Sequence, residues 1–443
     1  MGEKAKHQLL YSFTKLKDVQ EKGARVIVKG EDCYIWDDRG KRYIDGFAGL
    51  QVVNIGHGRK EVADAVYKQM QELEYWHSFF GYTTGPTVRL VEKMASIAPG
   101  SLNTSHFVSS GSEGNDSAFK ISRAYFRARG QGGKYKILYR DRAYHGMSMG
   151  ATSANGAPGN KIPYEPLVPG FIRIPHGHCY RCPFGWSYPG CGLECAHALE
   201  TTILQEGPDS VAAFIADPVQ GTIGGYVPAV REYFPIIRDI CDRYGVLFIC
   251  DEVITGFGRT GRMFGIENYP GSRPDIMVVA KGLTSGYVPM GAVIVSDEVA
   301  AVLSGGVFAH GFTYGGHPVA AACALANIDI IEREDLPGRA AETGAYIAGE
   351  LKSFLAFPFV GEVRAAGMMF GIELVRDKKS REPLPVEVAA RALDVAWEKG
   401  LVLRMSTGGY ALLLCPPLTM TRNIAGEMLR ILKETLEEVG RGL

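Results

Sequence analysis

From about residue 60 onward, stretches with the apolar spacing of amphipathic helices alternate with short runs of β-branched and aromatic residues. The runs that predict strands are His106–Ser109, Lys136–Tyr139, Val211–Asp217, Val246–Asp251, Asp275–Ala280 and Gly291–Ser296; helices are predicted over Glu113–Arg129, Arg231–Tyr244 and Val319–Arg333. Val246-Leu247-Phe248-Ile249-Cys250 has no polar break. A strand of that kind is covered on both faces, so the expected architecture is α/β, with a mostly parallel central sheet flanked by helices. The N-terminal pattern differs. After an arm over residues 1–30, Cys33–Trp36 and Arg42–Asp45 flank the turn Asp37–Gly40, as in a hairpin. Beyond residue 335 a helix, a β-rich segment over 359–375, a helix over 385–399, short strands near 401 and 411 and a last helix suggest a smaller α+β unit. The predicted division is 1–60, a segment joining the small domain; 61–333, a large ligand-binding domain; and 334–443, the C-terminal small domain.

Charge changes the picture by exclusion. The 443 residues carry 48 Lys and Arg against 48 Asp and Glu, a balance unsuited to a protein devoted to nucleic-acid phosphates or anionic membranes. No apolar run approaches the ~18 residues that span a bilayer. The start, Met1 to His7, mixes charges and leads into no apolar leader core, so the expected compartment is the cytoplasm. Glycine is in excess, 55 of 443 residues, about 12% against a usual ~7%. The glycines fall singly at the ends of apolar runs, where they read as tight turns and close backbone approaches.

The most informative pair is Asp251 and Lys281, each at the carboxyl end of an apolar run. Both are expected in the crevice beyond the sheet, where α/β folds bind ligands. A partly desolvated lysine there can attack a carbonyl and form a Schiff base; the plainer reading is an ordinary ion pair. In Val108-Ser109-Ser110-Gly111-Ser112-Glu113, small residues lead into a helix whose free N–H groups suit a phosphate, although Ser110 with Glu113 also reads as a capping box. Tyr144-His145-Gly146 offers rings able to stack on a flat ligand. A phosphate cradle, a stacking face, an aldehyde-capturing lysine and a carboxylate are the parts pyridoxal 5′-phosphate (PLP) needs. The carboxylate must be acidic rather than an amide, because its charge keeps the pyridine nitrogen protonated.

With these residues in place, the chain resembles the class III aminotransferases of the fold-type-I PLP family, most closely the ω-amino-acid or amine:pyruvate branch. The likeness runs from about residue 30 to the C-terminus and is densest in Asp251–Gly261, Ala280–Leu283 and His310–Pro318. It implies a PLP transferase fold of type I, with Lys281 carrying the cofactor as a Schiff base and acting as general base in a ping-pong exchange. Asp251 would pair with the ring nitrogen, Tyr144 and Val253 would cover the two ring faces, and His145 would lie beside them. Ser110, Gly111 and Ser112 would hold the phosphate, joined by Thr313 of a neighbouring subunit in a homodimer with shared active sites, with pairing into a tetramer left open. Arg404 matches a mobile arginine that binds an acceptor carboxylate. Met147, Thr222 and Ile254 replace the Arg, Glu and Gln usual in the 4-aminobutyrate branch, which favours pyruvate over 2-oxoglutarate. Gln51 stands where amine transaminases often place Trp, while Phe79 would keep the pocket aromatic. The same scaffold also supports racemisation or decarboxylation.

Two motifs compete. Gly256, Gly258 and Gly261 satisfy G-x-G-x-x-G but follow a strand already ending in Asp251 and lead into no clear helix, so a dinucleotide is not expected. Cys179, Cys182, Cys191 and Cys195 cluster near His176, His178 and His197. Reduced structural thiols are the leading reading, a structural metal the second and disulfides the third. A metal is not expected in the catalytic site.

Overall fold

The computed structural model describes residues 9–443; Met1 to His7, read above for a leader, fall outside the described residues. A seven-stranded sheet forms the centre, in the order Leu102–Val108, Gly291–Ser296, Ile276–Val279, Leu247–Asp251, Val211–Ala216, Lys136–Arg140 and Phe171–Ile174. Gly291–Ser296 runs antiparallel to both its neighbours, and the other neighbouring pairs are parallel. Every residue of Val211–Ala216, Leu247–Asp251 and Ile276–Val279 is buried, as the unbroken apolar runs require. Burying each large side chain there contributes roughly 1.5–3 kcal/mol.

Two features escape the apolar pattern. The first strand starts at Leu102, four residues early, because Thr104 and Ser105 are polar yet pair with Val295 and Ile294, and Asn103 falls at a register shift. The edge strand Phe171–Ile174 is short and carries an exposed Arg173, so it lacks a core signature. Part of the N-terminal arm is also ordered: Leu16–Lys22 is a helix and Ile27–Glu31 a strand.

The predicted hairpin forms from Tyr34–Asp37 and Arg42–Asp45. It joins Ile27–Glu31 and the distant Leu401–Val402 in a four-stranded sheet. Val360–Ala366, Met369–Asp377, Ala411–Leu414 and Arg404–Met405 form the main path of a third sheet, backed by the helices Leu336–Leu351, Val386–Glu398 and Arg422–Gly440. No helix among the described residues is long and apolar enough to cross a membrane.

Gly256, Gly258 and Gly261 do not open a helix. The chain turns back there, with Gly258 and Gly261 at positive φ, and wraps the fully buried Arg259. That guanidinium bonds Asn54 Oδ1 at 2.6 Å and the carbonyl of Pro416. Without a helix N-terminus, the segment has no pyrophosphate site.

Candidate active site

Because all but one of the central strands run the same way, their carboxyl ends share an edge. Val108 leads there into Ser109–Ser112, Arg140 into Tyr144, Ala216 into Asp217 and Val279 towards Lys281, while Asp251 ends its own strand. These segments border one cavity of about 370 Å³, which Arg404 and Thr407 close from the third sheet and its turn. Gln51, Val52, Thr222, Ile254 and Met290 add a mixed wall.

Lys281 is the first residue of a single 3₁₀ turn and holds φ at +42°. Left-handed backbone at a non-glycine residue costs roughly 1–3 kcal/mol and persists where the surroundings enforce it. Loss of solvation pushes the amine down to about 8, opposed by the nearby Cys415 and Asp251 and assisted by Arg404 and Arg259. A sizeable neutral fraction is therefore present near neutral pH, as a nucleophilic or proton-abstracting amine requires. Its Nζ donates to Gln51 Oε1 at 3.2 Å.

Asp251 is fixed on three sides. Asn115 Nδ2 and His145 Nδ1 donate to Oδ2 at 2.9 and 2.7 Å, and the Val253 N–H donates to Oδ1 at 3.0 Å. His145 thus engages the carboxylate through its ring edge while also bordering the cavity. Asn115 also donates to the His145 carbonyl at 2.7 Å. It was not foreseen, since only the helix Gly111–Ala128 aims it at Asp251; its place one turn past the Ser-Gly-Ser segment was the available signal.

That helix begins at Gly111 with Ser110 as its cap, the hydroxyl accepting the Glu113 N–H at 3.3 Å. The Glu113 carboxylate reaches back to the Ser109 N–H at 2.7 Å. Capping leaves the first helical N–H groups, at Gly111 and Ser112, without intrahelical acceptors, so the cap and an anion at these groups are compatible. A Cβ on Gly111 would lie 2.8 Å from Val253, so a glycine lets the Ser110–Ser112 turn and the Val253 wall meet.

Arg140 and Asp217 form a buried ion pair at 2.6 Å, while the second Asp217 oxygen accepts the Gly221 N–H at 2.8 Å. This pair, also unforeseen, fixes the loop that carries Thr222. The guanidinium of Arg404 lies 5.9 Å from the centre of the Phe47 ring, and among the described residues no carboxylate comes within 4 Å of it.

A family profile described as aminotransferase class-III matches residues 17–436. The chain belongs to the class III aminotransferases. It is 40% identical over 429 residues to the putrescine–pyruvate aminotransferase of Pseudomonas aeruginosa, spanning 96% of this chain and 93% of that one. The crystal structure of an (S)-enantioselective ω-transaminase from Thermomicrobium roseum matches with a TM-score of 0.95 at 43% identity, covering 98% of this chain and 97% of the other. A PLP-bound amine transaminase from an uncultivated Pseudomonas species matches at 0.93 and 36% identity, covering 97% and 98%.

Class III aminotransferases use PLP. The residues of this aminotransferase fit it: free N–H groups for a phosphate, a fixed carboxylate for a ring nitrogen, Tyr144 and Val253 on the cavity wall, and a desolvated amine for an aldehyde.

Two expected residues lie elsewhere. Phe79 borders a separate opening with Ser78, Phe80, His310 and Phe312, and the Thr313 carbonyl accepts the Tyr75 hydroxyl at 2.6 Å. Neither lines the cavity of its own chain. Their segments, after residue 73 and after residue 306, lie beyond the sheet edge that gathers the other groups.

The four clustered cysteines do come together, around a cavity of about 40 Å³ that His178, Trp186 and Tyr188 also line. All four are free thiols. Burial and the neighbouring sulfurs push the Cys195 thiol up to about 11. Among the described residues, the one His/Cys/acid trio within 4.8 Å is His178, Glu362 and Glu373. Arg364 pairs with both carboxylates and Arg181 with Glu373, so the place a cation would take is already answered by guanidinium groups.

Proposed function

We propose that the chain moves an amino group from an amine or ω-amino acid to pyruvate, with Lys281 bearing the cofactor. The observation that carries this reading is the convergence on one cavity of the Lys281 amine, the triply bonded Asp251, the Gly111–Ser112 N–H groups and Arg404, which has no carboxylate partner among the described residues. Bound PLP supplies an aldehyde and an electron sink. Lys281 holds the aldehyde and, once released, moves the proton at the substrate carbon. Asp251 keeps the ring nitrogen protonated, with His145 and Asn115 holding its carboxylate in line. Tyr144 and Val253 flank the ring. The Ser110–Ser112 turn binds the phosphate.

Arg404 is the acceptor-carboxylate contact in this reading, because a guanidinium fork matches a carboxylate. Thr222 and Ile254 bring no second cation to the wall, and Met147 stands where an Arg would, which supports a monocarboxylate such as pyruvate. The relative named putrescine–pyruvate aminotransferase supports the same choice.

The reading includes a cytoplasmic homodimer, with Thr313 and Phe79 serving the partner's cavity. Support comes from the exposed apolar side chains near them, Trp76, Phe80, Val307 and Tyr314, since patches of this kind mark association surfaces. Division at residues 60 and 333 follows from the same reading, with the N-terminal hairpin paired to Leu401–Val402 in its support.

The test is a panel of amines, ω-amino acids and taurine-like sulfonates, each run against pyruvate and 2-oxoglutarate. Pyruvate is expected to accept from amine donors. Activity with 2-oxoglutarate alone would overturn the acceptor assignment, and a monomer by light scattering would overturn the shared site.

A further inference from the structure

We propose that Gln51 is a positioning residue for the Lys281 amine, holding the nitrogen through an uncharged acceptor whenever it is not bonded to the cofactor. The inference rests on Lys281 being the cofactor-bearing lysine. In the exchange, a substrate amine replaces Lys281 at the aldehyde carbon: one C=N bond forms, another breaks, and the two hydrogens lost by the incoming amine end on the lysine nitrogen. That freed amine needs a holding place close to the substrate carbon, and the partner it finds there decides whether it stays neutral.

Gln51 is built for that place. It is 2% exposed and sits at φ +60° in the kinked segment Ala48–Gln51. Its Nε2 donates to the Tyr226 hydroxyl and its Oε1 accepts from Lys281 at 3.2 Å. The Tyr226 hydroxyl lies in turn against the Cys415 thiol. The Tyr226 oxygen accepts from the Gln51 amide nitrogen, which leaves Oε1 turned towards the lysine.

The contact that holds the amine, Gln51 Oε1, carries no charge. The charged and titratable groups facing the amine are Asp251 at the end of its strand, Arg404 on the third sheet, Arg259 in the buried turn, and the thiol of Cys415. The Tyr226 hydroxyl lies behind the amide and Tyr144 stands on the opposite wall. Asp251 is already committed to Asn115, His145 and Val253. An amide oxygen therefore secures the nitrogen while favouring its ammonium form far less than a carboxylate would. A carboxylate at position 51 would secure it as an ammonium, useless as a base.

The experiment compares wild type with Gln51→Glu, Gln51→Leu and Gln51→Asn. Asn tolerates left-handed backbone and preserves the amide while withdrawing it by one carbon. Each protein is stripped of PLP, and acetylation of Lys281 by acetic anhydride is followed against pH by peptide mass spectrometry. The wild-type midpoint is expected near 8. Gln51→Glu is expected to raise it by about one pH unit or more, and both Gln51→Leu and Gln51→Asn to lower it, because an ammonium loses its acceptor in a desolvated place. Borohydride trapping of PLP on Lys281 is run alongside and is expected at one per chain in every variant. Normal trapping with coincident midpoints would overturn the role of Gln51. Absence of trapping in the wild type would overturn the cofactor assignment beneath it.

Discussion

The two side-chain clusters on either side of the Arg140–Asp217 pair are both rich in ionisable groups, yet they use them in opposite ways. Around the large cavity the charges are kept from neutralising one another: Asp251 is bound by Asn115, His145 and a backbone N–H, Lys281 by an amide, and Arg404 rests near an aromatic ring. Around the cysteine cavity they close on themselves. Arg364 binds Glu362 and Glu373, Arg181 adds to Glu373, and His178 meets Glu362 at 3.2 Å. The difference separates a place that holds chemistry from a clasp that ties the 175–193 segment to the third sheet. A tally of ionisable residues would rank the two alike.

The comparison is broken most severely by Lys281→Ala. Transamination is expected to fall at least about a thousandfold, with loss of the borohydride-trapped PLP and little change in thermal midpoint. Arg364→Met should do the reverse. It leaves the buried Glu373 with Arg181 as its one remaining guanidinium partner, so stability is expected to drop by up to roughly 3–5 kcal/mol in denaturant unfolding, while the protein that remains folded keeps most of its kcat. If Arg364→Met abolishes kcat at full stability, the clasp is part of the chemistry.

A smaller effect tests a buried acid that belongs to neither cluster. Burial raises the Glu252 carboxyl to about 7, against hydrogen bonds from Thr255 and the Gly265 and Ile266 N–H groups that lower it. An acid raised in the folded state binds more protons folded than unfolded between its two values. Its contribution is thus fully present below about pH 4.5 and is lost as pH rises through about 7. Urea midpoints over pH 5 to 8 should show a downward component in wild type that is missing from Glu252→Gln. The smallest change is expected from Cys191→Ser at the rim of the cysteine cavity, under about 1 kcal/mol. A larger loss, accompanied by release of bound zinc, would replace the thiol reading with a metal.

Much of the catalytic edge was legible because it follows from strand ends. Once Val246–Asp251 and Asp275–Ala280 are read as parallel strands, Asp251 and Lys281 must share an edge, and the helix after Val108 brings its N-terminus to the same place. The groups that hold these residues were not legible. Asn115, Asp217 and Tyr226 act through contacts between segments far apart in sequence, and hydrogen-bond partners leave no periodicity. Gln51 was singled out for its identity, but its direction depends on a left-handed backbone that composition does not reveal. His145 was expected beside the cofactor ring; it does border the cavity, but its hydrogen bond to Asp251 was not legible. Phe79 was read as a pocket residue from its position in the chain, and within one copy it faces a different opening.

The single reversed strand of the central sheet also constrains how the protein is made. Val108, at the end of the first central strand, finds its ladder partner in Gly291, and in the sheet order that strand touches only Gly291–Ser296. During ribosomal synthesis the Ser110–Ser112 turn therefore emerges early and waits, unanchored at the sheet, until nearly two-thirds of the polypeptide has been made. Nascent chains stalled before residue 291 would expose this segment to chaperones and proteases, and those stalled beyond residue 296 would begin to conceal it.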